Sequence, residues 1–184
     1  MISIEQGKIL PLIARTAISN ALGEPMSADE SAPWLGELGA CFVTLTQQGE
    51  LRGCIGTLQA HRSLLEDVKH NAVAAALRDS RFLPLSKDEL GFTRVEVSVL
   101  SPPSPMSYIN ESDALAQLRP NIDGVVFEYM GYRSTFLPQV WEQLPQAVLF
   151  MAHLKRKAGL PDSFWAEGIK LSRYTVKKWT EGEN

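Results

Sequence analysis

The sequence lacks any hydrophobic run near the roughly 20 residues that a membrane-spanning helix requires. Its first residues, Met1–Glu5, have neither the basic start nor the apolar stretch of a secretory signal, so we expect a cytoplasmic protein with no membrane partner. A charge excess is also missing, because the net charge is −3 at pH 7. The only basic runs, 155–157 and 177–178, are short and lie near acidic residues. Since nucleic acids attract basic surfaces, we expect no nucleic-acid partner.

Cysteine is scarce, and the familiar cofactor motifs are missing. Two cysteines, Cys41 and Cys54, do not make a disulfide scaffold in a chain of 184 residues. Cys41 alternates with apolar residues on a regular strand pattern, where core packing is expected. His61, His70 and His153 form no metal-ligand spacing with one another, with a cysteine or with a carboxylate, so no metal site is predicted. No phosphate-binding loop, nucleophile elbow or dinucleotide fingerprint occurs, which leaves the cofactor unassigned.

The composition and the hydrophobic pattern indicate a globular α+β protein. With 45% hydrophobic and 21% charged residues, the chain suits one domain, or one main domain with a small appendage. Because hairpins join most of the strands, we predict a mostly antiparallel sheet flanked by helices. The periodicity predicts helices over 4–22, 63–79, 112–118 and 145–158, and a short helix after Ser86. It predicts strands over 40–46, 51–58, 94–100, 125–129, 133–137 and 170–179.

The segment Leu51–Thr57 is the most unusual part of the sequence. Gly53 and Gly56 lie on either side of Cys54, and glycines inside a strand indicate a bulge or the close approach of another group. In a regular strand, Arg52 and Cys54 would share one face, where the guanidinium would favour the nucleophilic thiolate. The two glycines would then leave room for a ligand beside the sulfur. The alternative is a buried core thiol without a function.

A few other residues could complete a site around Cys54. Glu96 lies in the middle of a strand and either pairs with Arg52 or occupies an exposed sheet face. A dyad of Cys54 with His61 or His70 is geometrically allowed, although no spacing supports it. These alternatives stay open from the residues alone.

Two dense junctions of polar and aromatic residues follow predicted elements. The segment Arg78–Leu85 combines charge, an aromatic ring and a proline, and either lines a cleft or packs the end of a helix. In Thr135–Trp141, Pro138 would end a strand and Trp141 would fill the core, which favours packing over a cleft wall.

Several stretches match one known family in order and over nearly the whole chain. The chain resembles the AMME chromosomal-region (AMMECR) domain proteins, which in bacteria and archaea are called protein A of the AmmeMemoRadiSam system. The hallmark of that family, Arg-Gly-Cys-Ile-Gly, begins here at Arg52. The matching stretches are Phe42–Leu45, Leu51–Leu58, Asn71–Ala76, Asp79–Leu85, Val95–Ser101, Asp123–Val125, Thr135–Trp141, Lys157–Pro161 and Tyr174–Val176.

The resemblance implies a single AMMECR-type domain over residues 1–184, with a larger and a smaller lobe and a cleft near the hallmark segment. It also implies a functional link to two partners, a Memo-type protein, which resembles non-haem-iron dioxygenases, and a radical-SAM protein. The residue pattern and the resemblance together predict catalytic residues at Cys54, Arg52 and Glu96 and ligand-binding residues at Gly53, Gly56, Thr57 and Arg81.

Two functions agree with this pattern. In the first, the chain is an enzyme or part of one, and Cys54 is a nucleophile, a redox thiol or a metal ligand. Arg52 would then tune the thiol or hold an anionic group, while Glu96 would orient Arg52 or move protons. In the second, the chain is a non-catalytic adaptor, or a protein that its partners modify.

Overall fold

The computed structural model of the protein describes residues 2–182 and contains two compact units. Of the described residues, 2–100 and 177–182 form the first unit. The second unit is the continuous stretch Ser101–Val176.

The chain folds into short helices and strands that agree closely with the sequence pattern. The helices are Ile4–Gly7 (α1), Leu10–Ala21 (α2), Leu64–Leu77 (α3), Lys87–Leu90 (α4), Glu111–Gln117 (α5) and Ala147–Lys157 (α6). The strands are Leu38–Gln47 (β1), Glu50–Gly56 (β2), Arg62–Ser63 (β3), Thr93–Leu100 (β4), Ser104–Pro105 (β5), Gly124–Tyr129 (β6), Tyr132–Phe136 (β7), Lys170–Tyr174 (β8) and Val176–Thr180 (β9). Antiparallel sheets flanked by helices confirm the predicted fold class. Within residues 2–182, no helix combines the length and apolar character needed to cross a bilayer.

The sheet of the first unit has the strand order β2-β1-β4-β9, and β3 pairs with the start of β1. Strand β1 runs antiparallel to both β2 and β4. One face of this sheet packs against α2 and α3, because alternate strand residues are apolar and buried. This core includes Leu10, Ile13, Ile18, Cys41, Val43, Leu45, Val68, Ala72, Val95 and Val97. The intervening residues, including Thr44 and Glu96, lie on the opposite side, which we call the Thr44 face.

The second unit has an antiparallel sheet with the order β5-β8-β6-β7. Its core contains the stacked rings of Trp141 and Phe150, whose centroids are 3.8 Å apart. Trp141 is 1% exposed, and its indole N–H donates to the backbone oxygen of Asp123. The junction Thr135–Trp141 therefore packs the core, in agreement with the favoured prediction.

Both predicted hairpins are present, and they use the same kind of turn. Gln48 and Gly49 join β1 to β2 with φ values of 52° and 86°. Met130 and Gly131 join β6 to β7 with φ values of 43° and 92°. Two consecutive residues with positive φ match the twist of antiparallel strands, which explains a glycine in each turn.

Two predicted elements are divided in the structure. The helix expected over 4–22 is interrupted between α1 and α2, because Pro11 suits only the first turn of a helix and is disfavoured inside one. The strand expected over 170–179 is divided at Thr175 into β8 and β9. These two strands belong to different sheets, which strand periodicity alone does not reveal.

Candidate functional site around Cys54

Cys54 lies on β2, the edge strand of the first sheet, with its side chain on the Thr44 face. It is paired in register with Thr44 of β1, and its sulfur is 3.4 Å from the Thr44 hydroxyl oxygen. The thiol is free and only partly buried. A reagent-sized group can therefore be expected to reach it, in contrast to a core cysteine.

The backbone of Cys54 is held at the sheet edge by two side chains that follow α3. A carboxylate oxygen of Asp79 accepts a hydrogen bond from the Cys54 backbone N–H at 2.9 Å. The Arg81 guanidinium donates to the Cys54 backbone oxygen at 3.2 Å. Together these groups satisfy a donor and an acceptor that an edge strand would otherwise leave unpaired.

Asp79 and Arg81 also form a two-point ion pair with each other. Arg81 Nε donates to Asp79 Oδ1 at 2.9 Å, and Arg81 Nη2 donates to Asp79 Oδ2 at 2.7 Å. The guanidinium lies over the Phe82 ring, 5.5 Å from its centroid. Hydrogen bonds from Arg81 hold the pKa of Asp79 well below its ordinary value. In return, Asp79 raises the pKa of Arg81, with a smaller contribution in the same direction from Cys54.

Arg52 does not reach the sulfur in the way that the regular strand pattern predicted. The register of β1 and β2 shifts between Leu45 and Thr46, so Arg52 is the extra residue of a β-bulge. Its guanidinium donates to Glu89 at 3.0 Å and 3.3 Å and lies over Phe82. Within the described residues no hydrogen bond joins it to Cys54. The guanidinium beside Cys54 therefore belongs to Arg81.

The two glycines of the hallmark segment do not leave room for a ligand at their Cα atoms. A Cβ atom on Gly53 would lie 2.2 Å from the backbone oxygen of Ala75 in α3. A Cβ atom on Gly56 would lie 2.1 Å from the ring of Phe42. Both glycines allow close packing, which corrects the expectation that their small size opens space beside the sulfur.

Glu96 has charged and polar neighbours other than Arg52. Strand β1 separates β2 from β4, and the register places Glu96 opposite Thr44. The Glu96 carboxylate is 3.5 Å from the Lys178 ammonium group and accepts a hydrogen bond from Thr180 at 3.4 Å. Of the two alternatives for Glu96, the pairing with Arg52 is therefore wrong. A row of side chains on the Thr44 face instead runs from Cys54 through Thr44 to Glu96.

The hydroxyl of Thr57 belongs to a buried polar network at the end of β2. It donates to Asp67 at 2.7 Å and accepts a hydrogen bond from Asn71 at 3.1 Å. Asp67 also accepts a hydrogen bond from the backbone N–H of Cys41. Cys41 itself is 0% exposed, and burial raises the pKa of its thiol well above the ordinary value. This confirms Cys41 as a core residue.

The histidines lie in other surroundings. His61 contacts the backbone oxygen of Gln59 and the guanidinium of Arg62. His70 is on α3, where partial desolvation lowers its pKa. Neither imidazole contacts Cys54 within the part of the chain that the structure describes. Over the same residues, no cluster of three or more histidine, cysteine, aspartate or glutamate side chains is arranged to hold a metal ion.

Comparison with known proteins decides the family. The AMMECR1 family model matches residues 12–179. The chain belongs to the AMMECR1 family. This confirms at the family level the resemblance seen in the sequence.

Similarity to other proteins extends over almost the full chain. Protein MJ0810 of Methanocaldococcus jannaschii is 36% identical over 188 residues, covering 100% of this chain and 94% of that protein. A Thermotoga maritima protein is 36% identical over 161 residues, covering 85% of this chain and 87% of its own length. The crystal structure of the uncharacterised protein PH0010 from Pyrococcus horikoshii superposes with a TM-score of 0.80 at 32% identity, covering 98% of this chain and 94% of that one.

Two residues of the candidate site around Cys54 could not be recognised in the sequence. Thr44 carries no special spacing, and only the bulged register brings it opposite Cys54. Asp79 lies within a segment that was recognised as a junction, but its contact with the backbone of Cys54 is long-range. The signal available in the sequence was a pair of opposite charges, Asp79 and Arg81, two residues apart and directly after a helix.

Proposed function

We propose that this AMMECR1-family chain acts through the thiol of Cys54, as a nucleophile toward an electrophilic substrate. The observation that supports this most directly is the Thr44 hydroxyl, 3.4 Å from a sulfur that is only partly buried. A hydroxyl at that distance can donate to a thiolate and so stabilise the nucleophilic form. Both features are unnecessary for a cysteine that merely packs a core.

The remaining site residues take roles that follow from their contacts. Glu96 lies beyond Thr44 in the same row and would receive or return a proton. Arg81, held beside Cys54, would contact the ligand. Arg52 would act indirectly, because it lies over the same Phe82 ring as Arg81. In this proposal the strand that carries the thiol lies next to the ligand that Arg81 contacts. The shape of this strand depends on Gly53, Gly56 and Thr57.

We further propose that the chain is protein A of an AmmeMemoRadiSam-type system, with a Memo-type protein and a radical-SAM protein as its partners. The resemblance at the Arg52-Gly-Cys-Ile-Gly segment supports this link. Affinity purification from the native host, with the Memo-type and radical-SAM proteins measured by mass spectrometry, tests it. Their absence at native expression levels would count against the link.

Alkylation of the folded protein tests the role of Cys54. In a Cys41→Ala variant, iodoacetamide should label Cys54 at neutral pH, with a rate that rises with pH as the thiolate forms. The matched Cys54→Ala variant keeps Cys41, which is buried, and should be labelled only after unfolding. Labelling of Cys54 only in denaturant would remove the basis for a nucleophilic role.

One observation favours a second function, that of an adaptor or a modified partner. Among the described residues no carboxylate or imidazole is hydrogen-bonded to the Cys54 sulfur, whose partner is the Thr44 hydroxyl, so the base that activates many cysteine nucleophiles is not in place. An adaptor would present this segment to a partner, and a modified protein would carry added mass there. The intact mass of protein isolated from its native host, followed by peptide mapping of Leu51–Thr57, distinguishes the two. If the thiol is unmodified and the protein turns over a substrate, both the adaptor role and the modified-partner role are ruled out.

A further inference from the structure

The guanidinium of Arg81 is held unusually firmly for an exposed arginine. It makes two hydrogen bonds to Asp79 and one to the Cys54 backbone, and it lies over the Phe82 ring. A free arginine side chain loses rotamer entropy when it is ordered in one conformation. The Arg81 side chain is already ordered in the folded protein, so binding a ligand would not require this loss of entropy again.

The same guanidinium still has a free end. The bonds to Asp79 and Cys54 use Nε and Nη2, and no partner of Nη1 occurs among the described residues. The Arg81 side chain is 54% exposed, whereas the Asp79 side chain beneath it is 5% exposed. The buried carboxylate thus orients the guanidinium of a half-exposed side chain, and the donors of Nη1 stay available for another partner.

A second guanidinium lies close to the same place. The Arg52 guanidinium lies over the Phe82 ring, as Arg81 does, 5.9 Å from its centroid, and its Nη1 is buried without a hydrogen-bond partner among the described residues. Fixed guanidinium donors of this kind match the oxygens of carboxylates and phosphates. This feature is independent of the contacts that hold Arg81.

We propose that Arg81 is a specificity residue that selects substrates carrying an anionic group, a carboxylate or a phosphate, and places them beside the Cys54 thiol. This inference rests on the proposed function, because it assigns a substrate class to the same thiol. Nη1 of Arg81 would bind the anion, and the electrophilic carbon of the substrate would face the sulfur. The role belongs to Arg81 rather than to Arg52, whose guanidinium is bound to Glu89.

Two matched reagents separate anion selection from thiol reactivity. Iodoacetate and iodoacetamide both alkylate a thiolate: an S–C bond forms, the C–I bond breaks, iodide leaves with the bonding electrons, and the thiol proton passes to the buffer. They differ in charge. Both rate constants are proportional to the fraction of thiolate, so their ratio at one pH does not depend on that fraction. The ratio therefore reports the charge near the thiol.

The experiment uses the full-length Cys41→Ala protein, with glutathione as the reference thiol. A positive group about 4 Å from the bound anion in water changes the rate by about fivefold, so the iodoacetate-to-iodoacetamide ratio should be about fivefold above that of glutathione. Arg81→Gln should reduce the ratio to the reference value. Arg78→Gln removes an exposed arginine from the end of α3 and should leave the ratio unchanged.

The salt dependence of the same ratio in the parent protein provides a second test, which stays valid if the Arg81→Gln variant does not fold. Raising the sodium chloride concentration toward 1 M should lower the ratio of the parent protein, because salt screens an exposed charge. At constant ionic strength, inorganic phosphate and acetate are then compared as inhibitors of the iodoacetate reaction. Stronger inhibition by phosphate assigns a phosphate group to the substrate, and stronger inhibition by acetate assigns a carboxylate.

The outcomes distinguish the two proposals. If both reagents label Cys54 with the ratio of glutathione, independent of salt, the anion selection is overturned while the reactive thiol stands. If neither reagent labels the folded protein, the proposed function fails together with this inference. A ratio that falls equally in Arg81→Gln and Arg78→Gln would also overturn the role of Arg81, because it would reflect overall charge.

Discussion

The carboxylate of Asp79 accepts a hydrogen bond from the backbone N–H of Cys54 at 2.9 Å, across 25 residues of sequence. The end of α3 is thereby fastened to the edge of the first sheet at the position of the thiol. Because the Asp79 side chain is almost fully buried, its bond to the Cys54 N–H is shielded from water, whereas its ion-pair partner Arg81 is half exposed. The geometry of the site thus depends on a residue outside the hallmark segment.

Asp79→Asn should destabilise the protein by about 2 kcal/mol. The amide oxygen can still accept the bond from Cys54, but the charge-assisted bonds from Arg81 are lost. Urea denaturation followed by circular dichroism measures the free energy of unfolding. Asp88→Asn, at an exposed position of α4, is the control and should change it by less than about 0.5 kcal/mol. Equal losses in the two variants would contradict a special role for Asp79.

Gly53→Ala should destabilise the protein by about 3 kcal/mol, through overpacking. The added methyl group would meet the backbone oxygen of Ala75, which cannot move without shifting α3. Gly91→Ala is the matched control, because a Cβ atom there meets nothing within 4 Å. Thermal and urea denaturation of both variants provide the comparison. A tolerated alanine at 53 would show that α3 can move away from β2.

The free energy of unfolding should decrease as the pH falls from about 4.5 toward 2. Hydrogen bonds from Arg52 and from the Ser86 backbone lower the pKa of Glu89 from 4.5 to about 2. A carboxyl with a lowered pKa in the folded protein stabilises it fully above the unfolded value, and this stabilisation is lost as the pH falls through the folded value. Urea titrations across this range measure the slope.

Two variants identify Glu89 as a source of that slope. Glu89→Gln removes the titrating group, and Arg52→Gln removes the guanidinium that lowers its pKa, so each should flatten the curve between pH 4.5 and 2. Both should be less stable than the parent protein at pH 7. Parent-like slopes in both variants would mean that other carboxylates control acid stability.

Thr44→Val should slow the alkylation of Cys54 about fivefold at neutral pH. Valine has nearly the same shape but no hydroxyl, so the thiolate loses a donor whose net effect is about 1 kcal/mol. Thr46→Val, on the same strand, is the control and should alkylate like the parent protein. The rate constants come from iodoacetamide labelling read by mass spectrometry. If both valines slow the reaction equally, a general change in β1 is responsible.

The relation between Thr44 and Cys54 shows how far the sequence could predict the site. The Gln48-Gly49 turn predicts the hairpin and its first pair, and regular pairing would then place Thr44 opposite Gly53. The bulge at Arg52 advances the register by one residue, which brings Cys54 opposite Thr44 instead. The glycines of the segment indicated a bulge but not the residue at which it occurs. That residue determines which side chains lie opposite each other.

Other parts of the site depend on contacts that local patterns do not contain. The helix α3 follows from the periodicity, and in the structure it begins after Ser63 with a capping box to Glu66. The approach of α3 to Gly53, and of Asp79 to Cys54, depends on how the helix packs on the sheet. The family resemblance directed attention to the segment Leu51–Thr57, while the contact partners of each residue in it follow only from the three-dimensional structure.

The order of strands along the chain has a consequence for synthesis on the ribosome. All strands of the second unit lie within a continuous stretch of chain, so its sheet can be completed as soon as β8 has emerged. The first unit emerges earlier, but it lacks one of its strands until β9 follows. Until then β4 has an unpaired edge, which is open to pairing with other nascent chains. The unit that holds the thiol is thus started first and completed last.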